Sequence, residues 1–200
     1  MVKSNPPMLR RQFLRRGLIG TLVFLGPICY SLSGVDAMAK QELDDRAGFR
    51  IMIEALRMSG NPACMNAAAK LEEMRGGETH YDLHLRSSGL RTRDAEIIAG
   101  ALRTPGFSKG PILRSLSMSH NEGLKDDGVV VLAHSLPANL NEMGLVGCAI
   151  GDKGGAALLR WATQAAGLKM LCVEGNRFSE EIRQGFTLLR QGRENLQIFV

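Results

Sequence analysis

No stretch of this sequence runs for the ~20 apolar residues that a membrane-spanning helix needs. The longest candidate, from Gly17 to about Leu32, is shorter and is interrupted by Gly17, Gly20, Gly26 and Pro27, so a permanent anchor is not expected. Positive charge is also missing where a nucleic-acid binder would need it. The formal net charge is +5, but residues 1–39 hold five basic side chains and one acid, leaving 20 Lys and Arg against 19 Asp and Glu in the remainder. That near-neutral remainder exerts little pull on phosphate backbones, which excludes nucleic acid as a partner. Catalytic signatures are missing as well. Asp126-Asp127-Gly128 and Gly151-Asp152-Lys153-Gly154-Gly155 lack both the twelve-residue calcium ligand frame and the Gly-Lys-Ser/Thr end of a phosphate loop. Ser115, Ser117 and Ser119 have no triad partners, and there is no Gly-x-Ser-x-Gly elbow. His80 and His84 fall on a predicted strand, some 13 Å apart, too far to share a metal. His120 and His134 are isolated. Neither an enzyme nor a cofactor or metal site is expected.

The basic residues that are present lie at the start. Leu9-Arg10-Arg11-Gln12-Phe13-Leu14-Arg15 precedes the apolar run, and Ala37-Met38-Ala39 forms a small-residue cleavage signal. Arg10, Arg11, Phe13 and Leu14 resemble the twin-arginine export signal of bacteria, with Leu9 where that signal usually has Ser or Thr. An ordinary secretory signal containing two arginine pairs is the alternative. Either way residues 1–39 read as a cleavable leader, cut between Ala39 and Lys40. Contact with a membrane is then transient, and the destination is the periplasm or the exterior. Cys29 follows Gly26-Pro27-Ile28, a poor lipid-attachment box. Cleavage would leave three cysteines, Cys64, Cys148 and Cys172, an odd number in an oxidising compartment.

Beyond the leader the chain repeats itself. Leu113, Leu116, Met118 and Asn121 follow L-x-x-L-x-L-x-x-N, and the frame returns as Leu140, Met143, Leu145 and Cys148, then as Leu168, Leu171, Val173 and Asn176. Leu116 to Met143 is 27 residues and Met143 to Leu171 is 28. Between these frames, Leu124, Gly128, Leu132 and Leu136 answer to Ile150, Gly154, Leu158 and Ala162 at helical spacing. A fixed period of this size marks a solenoid, in which one unit buries its apolar face only against the next. The pattern resembles the leucine-rich repeat family in its long, ribonuclease-inhibitor-like form, where Asn or Cys is accepted at the last consensus position. That resemblance implies an α/β fold, a short right-handed arc with parallel strands on the concave face and helices on the convex face. Cys148 then lies in the core in place of Asn, and Cys172 is four strand residues from the equivalent position, about 13 Å, beyond disulfide reach.

Three domains follow: the leader at 1–39, a helical cap at 40–78 and the repeats at 79–200. Asp44 to Met58 reads as an amphipathic helix carrying Phe49, Ile51, Ile53 and Leu56, broken by Ser59-Gly60-Asn61-Pro62. A second helix carries Ala63, Met65, Ala67, Ala68, Leu71 and Met74. This pair either covers the open edge of the first repeat or serves as a separate partner site. The first repeat, with Leu83 and Leu85 and Ser88 at the Asn position, is 33 residues from the next. The excess, Thr104 to Pro111, is a Pro- and Gly-rich loop. Phe107 at its centre is either a contact residue on a projecting loop or folded back onto the helices. Asn195 to Val200 supplies a last strand with Phe199 on the exposed face.

Side chains alternating with the buried leucines form the surface of the sheet. They are Asp82, His84 and Arg86; Ser115, Ser117 and Ser119; Glu142, Gly144 and Val146; and Met170, Cys172 and Glu174. Such surfaces imply a monomeric, non-enzymatic module that binds a protein. One family of long leucine-rich repeats activates the GTPase Ran, with Arg86 or Arg91 conceivable in that role, but export argues against it. A structural envelope protein held by an uncleaved leader is the remaining alternative.

Overall fold

A computed structural model describes residues 46–74 and 77–200. The leader residues Arg10, Arg11, Phe13, Leu14, Ala37 and Ala39 lie outside the described residues. In chain order the elements are α1 (Ala47–Met58), α2 (Pro62–Glu72), β1 (His80–His84), α3 (Thr92–Arg103), β2 (Ile112–Ser117), α4 (Lys125–Ala133), β3 (Glu142–Gly144), α5 (Asp152–Gln164), β4 (Met170–Cys172), α6 (Glu180–Gln191) and β5 (Gln197–Phe199). The strands form one parallel sheet in the order β1-β2-β3-β4-β5. The register is the one that the repeat spacing predicts: Leu83 lies beside Leu116, Leu116 beside Met143, Met143 beside Leu171, and Leu171 beside Ile198. All five are buried. Helices α3 to α6 pack in sequence on the other side of that column, and α1 extends the row by packing on α3.

The helical layers approach closely where sequence puts glycine. A Cβ at Gly128 would stand 3.3 Å from both the Cα of Thr92 and the Cβ of Ala95, and one at Gly154 would stand 2.8 Å from Asp126 Oδ1. The acids at the helix starts do lie in first turns, where the helix dipole favours them. Their hydrogen bonds, however, reach the next repeat. Asp126 Oδ1 accepts from the backbone N–H of Gly151 and of Gly154, both at 2.8 Å, and Asp152 Oδ1 accepts from Ser179 N–H at 2.7 Å. Each carboxylate therefore ties the orphan donors of its neighbour's helix terminus.

A second ladder runs beneath the turns that follow the strands. Asn121 Oδ1 accepts from Ser88 N and Leu90 N, while its Nδ2 donates to the carbonyls of Leu85 and Met118 at 2.8 and 2.7 Å. Asn176 repeats this arrangement on Cys148 N, Ile150 N, Leu145 O and Val173 O. Between the two stands Cys148, fully buried, its thiol 3.3 Å from Met118 O and 3.5 Å from Val146 O. Burial pushes this thiol up, so it remains a neutral donor. Cys64, Cys148 and Cys172 are all free.

At the N-terminal end, Phe49, Met52, Ile53 and Leu56 bury one face of α1. Met52 takes a buried position while Ile51, expected on that face, is only half-buried. Gly60 turns the chain at φ +69°, and Asn61 caps α2 by accepting from Ala63 N and Cys64 N. The 104–111 loop does not project. A Cβ at Gly48 would collide with the carbonyl oxygen of Phe107, Gly48 N donates to Lys109 O at 3.1 Å, and the half-buried Phe107 side chain packs on the core. The loop clasps the start of α1. At the other end, Phe178 and Phe186 bury their rings together, and the Arg193 guanidinium donates to the carbonyls of Ala162, Ala166 and Leu168, closing the end of α5.

Candidate functional site

Strand alternation raises three rows on the concave face. Asp82, Ser115, Glu142, Met170 and Gln197 lie side by side, as do His84, Ser117, Gly144, Cys172 and Phe199. Arg86, Ser119, Val146 and Glu174 follow at the strand ends. Of the expected contact residues, His84, Arg86, Glu142 and Glu174 are exposed, and Asp82, Ser117, Gly144, Val146, Met170 and Cys172 are half-buried. Ser115 and Ser119 are not surface residues; they are 6% and 3% exposed. Two local causes bury them.

Under Ser115 the cause is a bulge. Tyr81 pairs with Leu113, but the next residue, Asp82, pairs with Ser115, leaving Arg114 as an extra residue. Arg114 swings over the face and grips Asp82 through Nε (3.0 Å) and a second nitrogen. That grip is the main reason the Asp82 carboxyl lies below its usual range. Ser115 drops beneath, 3.5 Å from His84 Nε2. Under Ser119 the cause is a structural hydrogen bond, its hydroxyl accepting from Val146 N at 3.1 Å. The neighbouring Gly144 is closed in too, since a Cβ there would meet Ser117 Oγ at 3.0 Å and Ser119 Oγ at 3.2 Å. The middle of the face is a sealed floor of small residues.

A further row was not visible in the leucine frame. Ser87, His120, Gly147 and Gly175 occupy the same turn position, with φ of 52°, 59°, 60° and 68°. Glycine adopts this left-handed conformation freely, whereas His120 does so at a cost of roughly 1 kcal/mol. Its exposed ring lies 2.8 Å from the Arg86 guanidinium. Because guanidinium only donates, His120 Nε2 is the acceptor and its ring proton sits on Nδ1. The concave face is histidine-rich towards β1, where His80, His84 and His120 surround Arg86 and the Arg114–Asp82 ion pair, and it carries exposed carboxylates further along, Glu142 on β3 and Glu174 after β4. Arg114 and His120 carry much of that character, and the alternation of leucines signals neither.

Cys172 lies in the central row. Burial, then the charges of Glu174 and Glu142, raise its thiol, which favours the neutral form. Among the described residues, no group of three or more His, Cys, Asp and Glu is placed to hold a metal ion, and no helix is long and apolar enough to cross a membrane. His80 and His84 do share β1, at its two ends.

The Leucine Rich repeat family model matches residues 111–133 and 139–159, the β2–α4 and β3–α5 units. The chain therefore carries the leucine-rich repeat motif over two repeats, on a parallel sheet flanked by helices in an arc of that type. No curated protein shows significant similarity to the chain.

Proposed function

We propose that this protein is an exported, non-enzymatic module that binds a protein partner on the concave face of its sheet and acts as a monomer. The observation that carries the proposal is the contrast between the sheet's two faces. Below the sheet one apolar type recurs at every strand. Above it, His84, Ser117, Gly144, Cys172 and Phe199 share one row without sharing any chemistry. A face needed only for solubility requires polar groups but no particular order, whereas here Arg86 and the histidines lie towards β1 and the exposed Glu142 and Glu174 towards β3 and β4, around a closed floor. Such a graded surface selects an oriented partner, since like charges opposed across an interface are penalised. Glu142, Glu174, Arg86 and His84 are among the exposed groups available for direct contact.

Export is the second part of the proposal. It rests on Arg10, Arg11, Phe13 and Leu14, followed by the apolar run and Ala37-Met38-Ala39. The test is in two stages. N-terminal sequencing of the protein from the producing cell should give a start at Lys40, and an intact leader would remove the cleavable-export reading. Crosslinking from an envelope fraction should then give a partner that is lost with the double variant Glu142→Arg/Glu174→Arg. The same partner should be retained by Arg160→Glu on convex helix α5. A partner indifferent to the concave pair would overturn the assignment of this face.

A further inference from the structure

Four sulfur atoms of the N-terminal helical pair divide into two inside and two outside. On α1, Met52 is fully buried, whereas Met58, six residues on and so about 240° around the helix, is 74% exposed. On α2, Cys64 is fully buried, whereas its neighbour Met65, about 100° around, is 51% exposed. Among the other described residues the thioethers are better covered: Met118 and Met143 lie in the core of the stack, and Met74 and Met170 are half-buried. Both open thioethers flank the connection at 59–61, Met58 as the last residue of α1 and Met65 about one turn into α2.

The bonds that hold this hairpin lie elsewhere. Ser59 Oγ donates to Leu56 O at 2.9 Å, and Asn61 Oδ1 caps α2. Asn61 Nδ2 donates to Ser88 O at 2.9 Å, tying the turn to the first repeat. Arg57 and Glu72 form an ion pair from one helix to the other. A change confined to the Met58 and Met65 side chains leaves these bonds and the buried helix faces in place.

We propose that Met58 and Met65 form a methionine oxidation site, taking oxygen from a hydroperoxide while the sulfurs beneath them do not. The thioether sulfur attacks the terminal peroxide oxygen with a lone pair, and the S–O bond forms as the O–O bond breaks. The departing oxygen takes the proton of the transferred hydroxyl and leaves as water or an alcohol. Sulfur is oxidised and the peroxide reduced, by two electrons. Each sulfoxide makes a flexible apolar side chain polar, and methionine sulfoxide reductases reverse the change, one enzyme for each epimer. A peroxide reaches Met52 and Cys64 only when the cap opens. Burial also pushes the Cys64 thiol up, which withholds the thiolate that a peroxide oxidises. Oxidation therefore changes the outer surface of the cap without loosening it. Neither thioether belongs to the concave rows, so this site stands or falls apart from the proposed binding face.

The full-length protein is treated with dilute hydrogen peroxide, and tandem mass spectrometry of its proteolytic peptides reads each methionine separately. Met58 and Met65 should gain oxygen at least about tenfold faster than Met52, Met118 and Met143, with Met74 and Met170 in between. In denaturing urea these rates should converge, which assigns the difference to the fold. Protein oxidised at both cap positions should unfold within about 0.3 M urea of the untreated midpoint, and the two reductases together should restore both thioethers. Equal rates at Met52 and Met58 in the folded protein, a cap methionine slower than Met170, or a markedly earlier unfolding of the oxidised protein would each overturn the inference. Sulfoxides that the reductases fail to reduce would overturn its reversibility.

Discussion

The two faces of the sheet have the same period and opposite rules. Beneath it, Leu83, Leu116, Met143, Leu171 and Ile198 are interchangeable apolar groups, each touching its equivalent in the next turn. Above it, no two neighbours in a row are alike, and the departures come with local devices: the Arg114 bulge, the left-handed His120 and the cramped Gly144. A stack of repeats is stable through sameness, because each interface is a copy of the last. Recognition needs difference, because a uniform surface binds in any register. The contrast teaches which residues belong to which task, and it corrects the division that alternation alone suggests. Ser115 and Ser119 face upward by parity yet serve the fold.

That division can be broken first at the ladder beneath the turns. Asn176→Ala strips two buried backbone N–H groups and two carbonyls of their partners, and it should cost on the order of 3 kcal/mol. Cys148→Ala, at the equivalent position one repeat earlier, loses only a weak thiol donor and a small volume, about 1 kcal/mol. Urea denaturation of the two variants ranks them, and equal losses would mean that the asparagine ladder does not hold the turns. A smaller effect sharpens the upper face. Ser119→Ala should cost about 1 kcal/mol through the hydrogen bond of Val146 N. The same change at Ser117 should stay within about 0.5 kcal/mol. If the two serines behaved alike, Ser119 would return to the contact surface.

The smallest effect is electrostatic. Asp82 has a depressed carboxyl in the folded state, first through its hydrogen bond with Arg114. A depressed acid stabilises the fold above its unfolded value, near 4, and that contribution fades as pH falls through the folded value. Arg114→Leu should therefore be less stable than wild type at pH 7, with the gap closing on acidification below pH 4 and shrinking in high salt. A gap independent of pH would show that Arg114 acts through the bulge geometry and not through charge.

The repeat register was legible because four positions recur together and only a parallel stack satisfies them. The helices at the N-terminal end were legible from their apolar spacing and from Asn61-Pro62. Several features of the candidate site left no such trace. A bulge at Arg114 does not change the distance from Leu113 to Leu116, so nothing in the leucine frame marks it. Gly147 and Gly175 hint at a left-handed turn, but Ser87 and His120 conceal that the position is shared. Asp126 reads as a first-turn acid of its own helix, and its partnership with Gly151 and Gly154 depends on how closely the next helix approaches. The loop around Phe107 is held by Gly48, a contact across nearly sixty residues that composition does not encode. Local pattern set the stack, whereas contacts between turns set the surface.

The central claim is that the buried column carries the fold and the exposed row does not. It is tested most directly by comparing urea unfolding of Leu145→Asp with that of Ser117→Asp, a fully buried and a half-buried strand-region residue in adjacent turns. Leu145 is fully buried, and an unpaired carboxylate there should remove more than about 4 kcal/mol, abolishing the cooperative transition. Ser117→Asp should retain that transition with a midpoint close to the wild type. Comparable loss in both variants would contradict the account, because the two faces would then be equally bound to the stability of the stack.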